Sequence, residues 1–329
     1  MRSLIISGIQ KNNMEEKLKL GISTCLLGEN VRYDGGHKLD RYLVNIVGPF
    51  VRWVPVCPEV ECGLPTPRES MRLVQTDHGV RLLTGKTKID HSERMIKWAN
   101  QRLDLLEKEK ICGYIFKAKS PSSGMRDIKI YGENGMPLRK GSGLFAEMLM
   151  QRFPYLPVED EGRLNDAGLR ENFIERVFVY FRWQNFLDAG GTRKGLVDFH
   201  TDHKLLFMAH SEKHMRMLGK LVAAPHTKDK DALINEYFIT MMEGLKLKAT
   251  VKKNVNVLQH ILGYFKKQLT PDEKQEVLEV IEQYHKYLIP LVAPITLLKH
   301  YVKKYDEAYL KRQYYLNPHP AELMLRNHV

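Results

Sequence analysis

Near Pro154-Tyr155-Leu156-Pro157 the chain changes texture, and a single architecture does not accommodate both sides of that point. Before it, short apolar runs alternate with loops and helical segments. Leu18 to Ser23 reads as a buried strand, Val51 to Val56 as a second and Gly113 to Lys117 as a third. Asp40 to Val47 reads as a crossover helix. Ser92 to Lys108 places Met95, Trp98, Ala99, Leu103 and Leu106 at helical spacing, with Asp90 or Ser92 as cap. Strand, loop and helix in alternation predict an α/β domain with a mostly parallel sheet, whose ligands collect in the loops after the strands' carboxyl ends. From Gly162 onward the pattern is one helix after another: Leu169 to Leu187, Leu196 to His210, Lys213 to Ala224, Asp231 to Leu245, Thr250 to Lys267, Pro271 to Tyr287 and Ile295 to Tyr305. Short polar breaks separate them, which predicts an all-α second domain. The expected organisation is a tail over residues 1–17, an α/β domain over 18–157 and a helical domain over 162–329.

A length of 329 residues suits two cores, and 43% hydrophobic with 27% charged residues is an ordinary globular balance that argues against long disorder. No apolar run approaches the roughly 20 residues that cross a bilayer, so no membrane association is expected. The start lacks a signal-peptide cleavage pattern. Four cysteines in a chain of this size fit a reducing compartment, hence the cytoplasm. The formal charge of +12 points to an acidic partner, nucleic acid first, or to a solvated basic surface.

Function is argued from three cysteines that follow or adjoin strand ends. Cys25 precedes Leu26-Leu27-Gly28, and Cys57-Pro58-Glu59-Val60-Glu61-Cys62 brackets carboxylates with thiols. In a reducing compartment, thiolates beside a carboxylate suit a metal or cluster better than a disulfide, though the spacing does not choose the metal. Cys25 also reads as a small buried hydrophobe, and Cys112, opening a strand, reads as core. Ser120-Pro121-Ser122-Ser123-Gly124 offers hydroxyls and backbone N–H groups at the rim of a site, or is simply a turn. Arg32, Tyr33, Asp34, Gly35 and Gly36 form a polar loop tip suited to a base or phosphate. In the helical half, Lys246, Lys248, Lys252, Lys253, His260, Lys266 and Lys267 crowd two segments with Tyr264 and Phe265 interleaved. That pattern suits phosphate contacts and base stacking, while the two aromatics read equally as core. His200, His203, His210 and His214 are spaced like metal ligands and equally like core or surface histidines.

At Ser23-Thr24-Cys25-Leu26-Leu27-Gly28, Val31 to Gly36, Val56-Cys57-Pro58-Glu59 and Gly63-Leu64-Pro65-Thr66-Pro67-Arg68, the first domain resembles the thiouracil desulfidase family. The second resembles the YbgA-like domain at Val257-Leu258-Gln259-His260, Asn317-Pro318-His319-Pro320 and Leu325 to Val329. The fused arrangement is similar to bacterial tRNA 4-thiouridine desulfidases. What the resemblance implies is a [4Fe-4S] cluster held by three cysteines with one iron open, and a hydrolytic, non-redox exchange of C=S for C=O. Cys25 and Cys57 match cluster cysteines, Glu59 the catalytic glutamate and Ser120 the active-site serine. Ser123 stands where many relatives carry a cysteine, and serine is a poor donor to a soft cluster, so Cys62 is the expected third ligand. Arg32, Asp34, Ser122 and Ser123 are expected around the substrate, and Lys252, Lys253, Lys266 and Lys267 on its phosphates. The expected partner is tRNA containing 4-thiouridine, with no obligate protein partner. Free thiouracil or another small thiocarbonyl is the alternative substrate, and a nucleic-acid-binding protein with a structural cluster or zinc is the alternative class.

Overall fold

The computed structural model describes residues 17–225 and 229–328, in two compact units of which the first ends at Glu161 and the second begins at Gly162. The tail expected over residues 1–17 lies, Lys17 apart, outside the described residues.

The first unit is built on a four-stranded parallel sheet: β1 (Leu18–Ser23), β2 (Val51–Val56), β5 (Tyr114–Phe116) and β8 (Val158–Asp160), in the order β2-β1-β5-β8. β1 and β2 run in register from Leu18 opposite Val51 to Ser23 opposite Val56. Leu18, Leu20 and Ile22 of β1 and Tyr114, Ile115 and Phe116 of β5 are all buried, as strands covered on both faces require. Gly21 is needed between them: a Cβ there would lie 2.3 Å from Tyr114 Cδ2, inside its ring's own space. The crossover expected as a helix over Asp40 to Val47 is instead wound irregularly, a π turn over Leu43–Val47 followed by a 3₁₀ turn over Gly48–Phe50 that contains Pro49. The unit runs past Pro157 to Glu161, because β8 pairs parallel with β5.

A second, mixed sheet was not foreseen. Its order is β4-β3-β6-β7, with β3 (Met71–Thr76) and β4 (Gly79–Thr84) forming a hairpin, β6 (Ile128–Tyr131) parallel to β3, and β7 (Pro137–Gly141) antiparallel to β6. Leu73, Leu82, Ile128 and Ile130 form its core together with Met95 of α2 (Ser92–Lys108). The remaining helices of this unit are α1 (Pro58–Glu61), a single turn after β2, and α3 (Leu144–Arg152).

The second unit is helical: α4 (Ala167–Asp188), α5 (Arg193–His210), α6 (Glu212–Val222), α7 (Lys230–Lys246), α8 (Val251–Tyr264), α9 (Pro271–His285), α10 (Val292–Lys304) and α11 (Ala308–Lys311). Most of these helices begin where a side chain caps them. Asp166, Thr192, Ser211, Asp229 and Thr250 each accept a backbone N–H three residues on, and Thr270 with Glu273 closes a capping box. Trp183 stacks on Tyr237 at 5.5 Å and meets Phe199 edge-on at 5.2 Å in the core. Arg326, buried, binds Glu171 and Glu175, and His210 Nε2 reaches Glu175 at 3.0 Å. Among the described residues, no helix is long and apolar enough to cross a membrane.

Candidate active site

The strand order reverses at β1: β2 lies on one side and β5 on the other, so the loops leaving their carboxyl ends diverge around a crevice. Three of these loops converge there on a cavity of about 380 Å³ lined by Cys25, Cys57, Glu59, Ser120, Ser122 and Ser123, with Arg68 on its wall.

Each loop is shaped by its own sequence. After β1 the backbone takes a 3₁₀ turn over Thr24–Leu27 that ends on Gly28 at φ 95°, a left-handed conformation glycine adopts without strain. The Cys25 carbonyl then accepts N–H bonds from Gly28 at 3.4 Å and Lys38 at 2.9 Å, which fold the next loop back over it. After β2, Cys57 is the N-cap of α1 and Pro58 its first residue, the position where a missing N–H costs nothing. Glu61 turns back along this helix to accept the Cys57 N–H at 2.8 Å and to meet Arg102 at 3.3 Å, away from the cavity. Glu59 turns the other way.

Glu59 is held at both oxygens. Oε1 accepts from Ser122 Oγ at 2.7 Å, and Oε2 accepts from Arg68 Nε at 2.8 Å and from Arg68 Nη2. Arg68 is itself pinned by the carbonyls of Val31 at 2.9 Å and Pro65 at 3.1 Å, so its guanidinium is a fixed charge. Ser122 donates to a carboxylate, which leaves its oxygen to accept from Ser120 Oγ at 3.0 Å. Ser120 Oγ in turn accepts the backbone N–H groups of Ser122 at 3.3 Å and Ser123 at 3.1 Å. The result is a directed chain, Ser120 to Ser122 to Glu59. Ser122, expected only around the substrate, is the link in it.

Burial pushes the Cys25 thiol up to about 11, against the pull of Lys117, and pushes Cys57 upward as well. Burial thus favours the neutral thiol at both positions. Cys62, expected beside them, does not line the cavity. It caps the carboxyl end of α1, its thiol donates to the Glu59 carbonyl at 3.3 Å, and it packs against the core of the second sheet. Cys112 is buried with its thiol directed at the Lys110 carbonyl, 3.8 Å away. Among the described residues no three of His, Cys, Asp and Glu converge as metal ligands. The cavity donors are two thiols, the Glu59 carboxylate and hydroxyls.

Arg32 lines the cavity and forms a forked pair with Asp34 at 3.0 and 3.2 Å, which holds the Asp34 carboxyl at about 2. Lys38 and Lys119 add positive charge to the wall, and Lys117 lines it paired with Glu161. Arg68 and these lysines were not singled out from the sequence, although Arg68 closes the Gly63 to Arg68 motif.

In the helical unit, Lys252, Lys266 and Lys267 are exposed, the last two in the turn after α8 rather than on it. Lys253 is turned inward, its ammonium donating to the carbonyls of His210 at 2.6 Å and Lys248 at 2.9 Å. Tyr264 is 44% exposed and stacks on Tyr309, whereas Phe265 is core. The four histidines each have their own partner: His200 the Tyr237 hydroxyl, His203 the Phe199 carbonyl, His210 Glu175, and His214 Ser211.

With this geometry in place, comparison with known proteins adds the following. The 2-thiouracil desulfurase family model matches residues 20–161, and a family of unknown function, DUF1722, matches residues 204–320. The uncharacterized protein YbgA of Escherichia coli (strain K12) is 33% identical over 165 residues, which are 50% of this chain and 98% of that protein. A solved structure, that of the [4Fe-4S]-dependent thiouracil desulfidase TudS, is 30% identical and covers 46% of this chain and 95% of that one, with a TM-score of 0.37.

Proposed function

We infer, for a chain that belongs to the YbgA family and joins that helical unit to a thiouracil desulfidase-like domain, that its first unit exchanges the sulfur of 4-thiouridine in tRNA for oxygen. The observation that carries this reading is the Ser120-Ser122-Glu59 chain inside a cavity that also presents Cys25 and Cys57.

The iron–sulfur cluster that the sequence resemblance implies fits this donor set in part: two soft thiols from two loops, with a hydroxyl in the third loop where relatives carry a thiol. Cys25 and Cys57 would hold it, and when bound it supplies an open iron, a Lewis acid for soft sulfur. The chain's own residues do the rest. Glu59, oriented by Arg68, takes a proton from a water that adds to the thiocarbonyl carbon. Ser122 steadies the carboxylate oxygen, and Ser120 can resupply a proton through it. The carbon–sulfur bond breaks and sulfur leaves as hydrosulfide, which takes up a proton. Atoms and electrons balance with no oxidant or reductant.

For the RNA, the supporting features are Arg32, Lys38 and Lys119 at the cavity and the exposed Lys252, Lys266 and Lys267 of the helical unit, with Tyr264 available to stack. Such a protein acts in the cytoplasm, where tRNA resides and thiols stay reduced. A second reading, desulfuration of free thiouracil, is favoured by the family match over residues 20–161. The two are separated by anaerobic reconstitution of the full chain and measurement of sulfide released from thiolated tRNA and from free thiouracil. Exchanging Lys252, Lys266 and Lys267 for Glu is expected to raise KM for tRNA and flatten its salt dependence, while leaving activity on the free base unchanged. A free-base activity with none on tRNA selects the second reading, and equal activity of the triple variant and the wild type on tRNA removes these lysines from RNA binding.

A further inference from the structure

Resting on the cluster reading, we propose that the third protein donor at this site is an oxygen, the hydroxyl of Ser123, and that the chain holds its cluster through Cys25, Cys57 and Ser123. A cluster bound on one face needs donors that surround it, and the fold provides three loops for this, after β1, β2 and β5. The first contributes Cys25 and the second Cys57. The third contributes no thiol. Ser123 is 4% exposed, lines the same cavity, and is fixed there by its own N–H, which donates to Ser120 Oγ at 3.1 Å.

The other candidates are already engaged or lie elsewhere. Cys62 sits at the far end of α1 from Cys57, outside the cavity lining, with its thiol on the Glu59 carbonyl and its side chain against the second sheet. Cys112 lies at the opposite end of β5. Ser120 and Ser122 are committed to the chain that ends on Glu59, and Ser23 Oγ accepts the Lys117 N–H at 2.9 Å. Thr24 shares its loop with Cys25 and leaves the third side uncovered. Among the described residues, no hydrogen bond occupies the Ser123 hydroxyl.

Ligation breaks the Ser123 O–H bond, sends the proton to water and forms an iron–oxygen bond, with no change of oxidation state. Lys38 and Lys119 on the cavity wall favour the negative charge that results, whereas Lys117 is paired with Glu161. An oxygen is a harder donor than thiolate and suits a soft cluster less well, so the site binds its cofactor more loosely than one with three cysteines. This consequence is measurable without any substrate.

The full-length protein is reconstituted anaerobically with iron and sulfide, desalted and exposed to a ferrous chelator, and iron, acid-labile sulfide and visible absorbance are followed with time. Wild type is expected to take up a cluster and lose it to the chelator, Ser123→Cys to lose it several-fold more slowly, Ser123→Ala to hold less iron and lose it faster, and Cys62→Ala to match wild type. The gain in Ser123→Cys cannot arise from misfolding, which protects the test from a damaged Ser123→Ala. Ser123→Cys losing iron no more slowly than wild type overturns the proposal. So does loss of the cluster in Cys62→Ala with Ser123→Ala at the wild-type rate, which makes Cys62 the donor and leaves the cluster reading standing. Failure of wild type and every variant to take up iron removes the cluster reading itself, and uptake by Ser123→Cys alone shows that the serine does not ligate.

Discussion

Ser122 is 1% exposed and stands between two oxygens, donating to Glu59 and accepting from Ser120. Removing its hydroxyl leaves Glu59 Oε1 without its buried donor, a loss of about 1–3 kcal/mol. Ser122→Ala is therefore expected to lower kcat roughly tenfold to a hundredfold, with iron content and KM close to wild type. Sulfide release at saturating substrate checks this, and an unchanged kcat removes Ser122 from the catalytic chain. Glu59 and Ser120 were legible in the sequence because each lies beside a strand-end loop with a recognisable motif. Arg68 was not singled out, since its role depends on the chain folding back so that the carbonyls of Val31 and Pro65 fix its guanidinium. Cys62 was misplaced for a related reason. Cys57 and Cys62 stand at opposite ends of the single turn α1, so nearness in sequence did not bring both thiols to the cavity.

The elements of the helical unit were legible because capping residues and apolar periodicity agree; the second sheet was not, because half of it is short or exposed. β7 exposes Pro137 to Lys140 and shows no apolar alternation, and β6 has four residues. At the same scale the burial on α5 has a thermodynamic consequence. Burial, with Lys204 nearby, lowers His200 to about 4; burial also lowers His319 to about 4; and burial with Arg182 nearby lowers His203 well below its ordinary value. Groups depressed in the folded state contribute stability above their unfolded value near 6.5, and that stability is lost as pH falls through the folded values. Glu171, pushed upward by burial and by the charge of Glu175, and Asp202, pushed upward by burial, have the opposite sign, so their contributions grow as pH falls and offset part of that of the three histidines. The unit is expected to lose stability between about pH 6.5 and 4, with on the order of 3 kcal/mol from His200 alone at the acid end. Hydrogen exchange of α5 amides against pH measures it. His200→Asn should flatten the slope, and an equally steep slope in that variant assigns the acid lability elsewhere.

At the scale of the whole molecule, the chain joins two units, and among the described residues the cavity that brings thiols, carboxylate and hydroxyls together lies in the first. The excess of 51 Lys and Arg over 39 Asp and Glu was visible at once and suits an RNA substrate, but the sequence did not show that Lys253 is tied to carbonyls while Lys252, Lys266 and Lys267 face solvent. The central claim is that this protein removes sulfur by a hydrolytic step in which Glu59 handles the proton. Its most direct test is sulfide release and conversion of 4-thiouridine to uridine by the reconstituted full chain, wild type against Glu59→Gln, under strict exclusion of air and without added reductant. The account predicts stoichiometric sulfide and uridine from wild type, and a Glu59→Gln protein with the same iron content whose turnover falls by about 10²–10⁴. Turnover by Glu59→Gln at the wild-type rate, or a wild type that releases sulfide only when an electron donor is supplied, would contradict it.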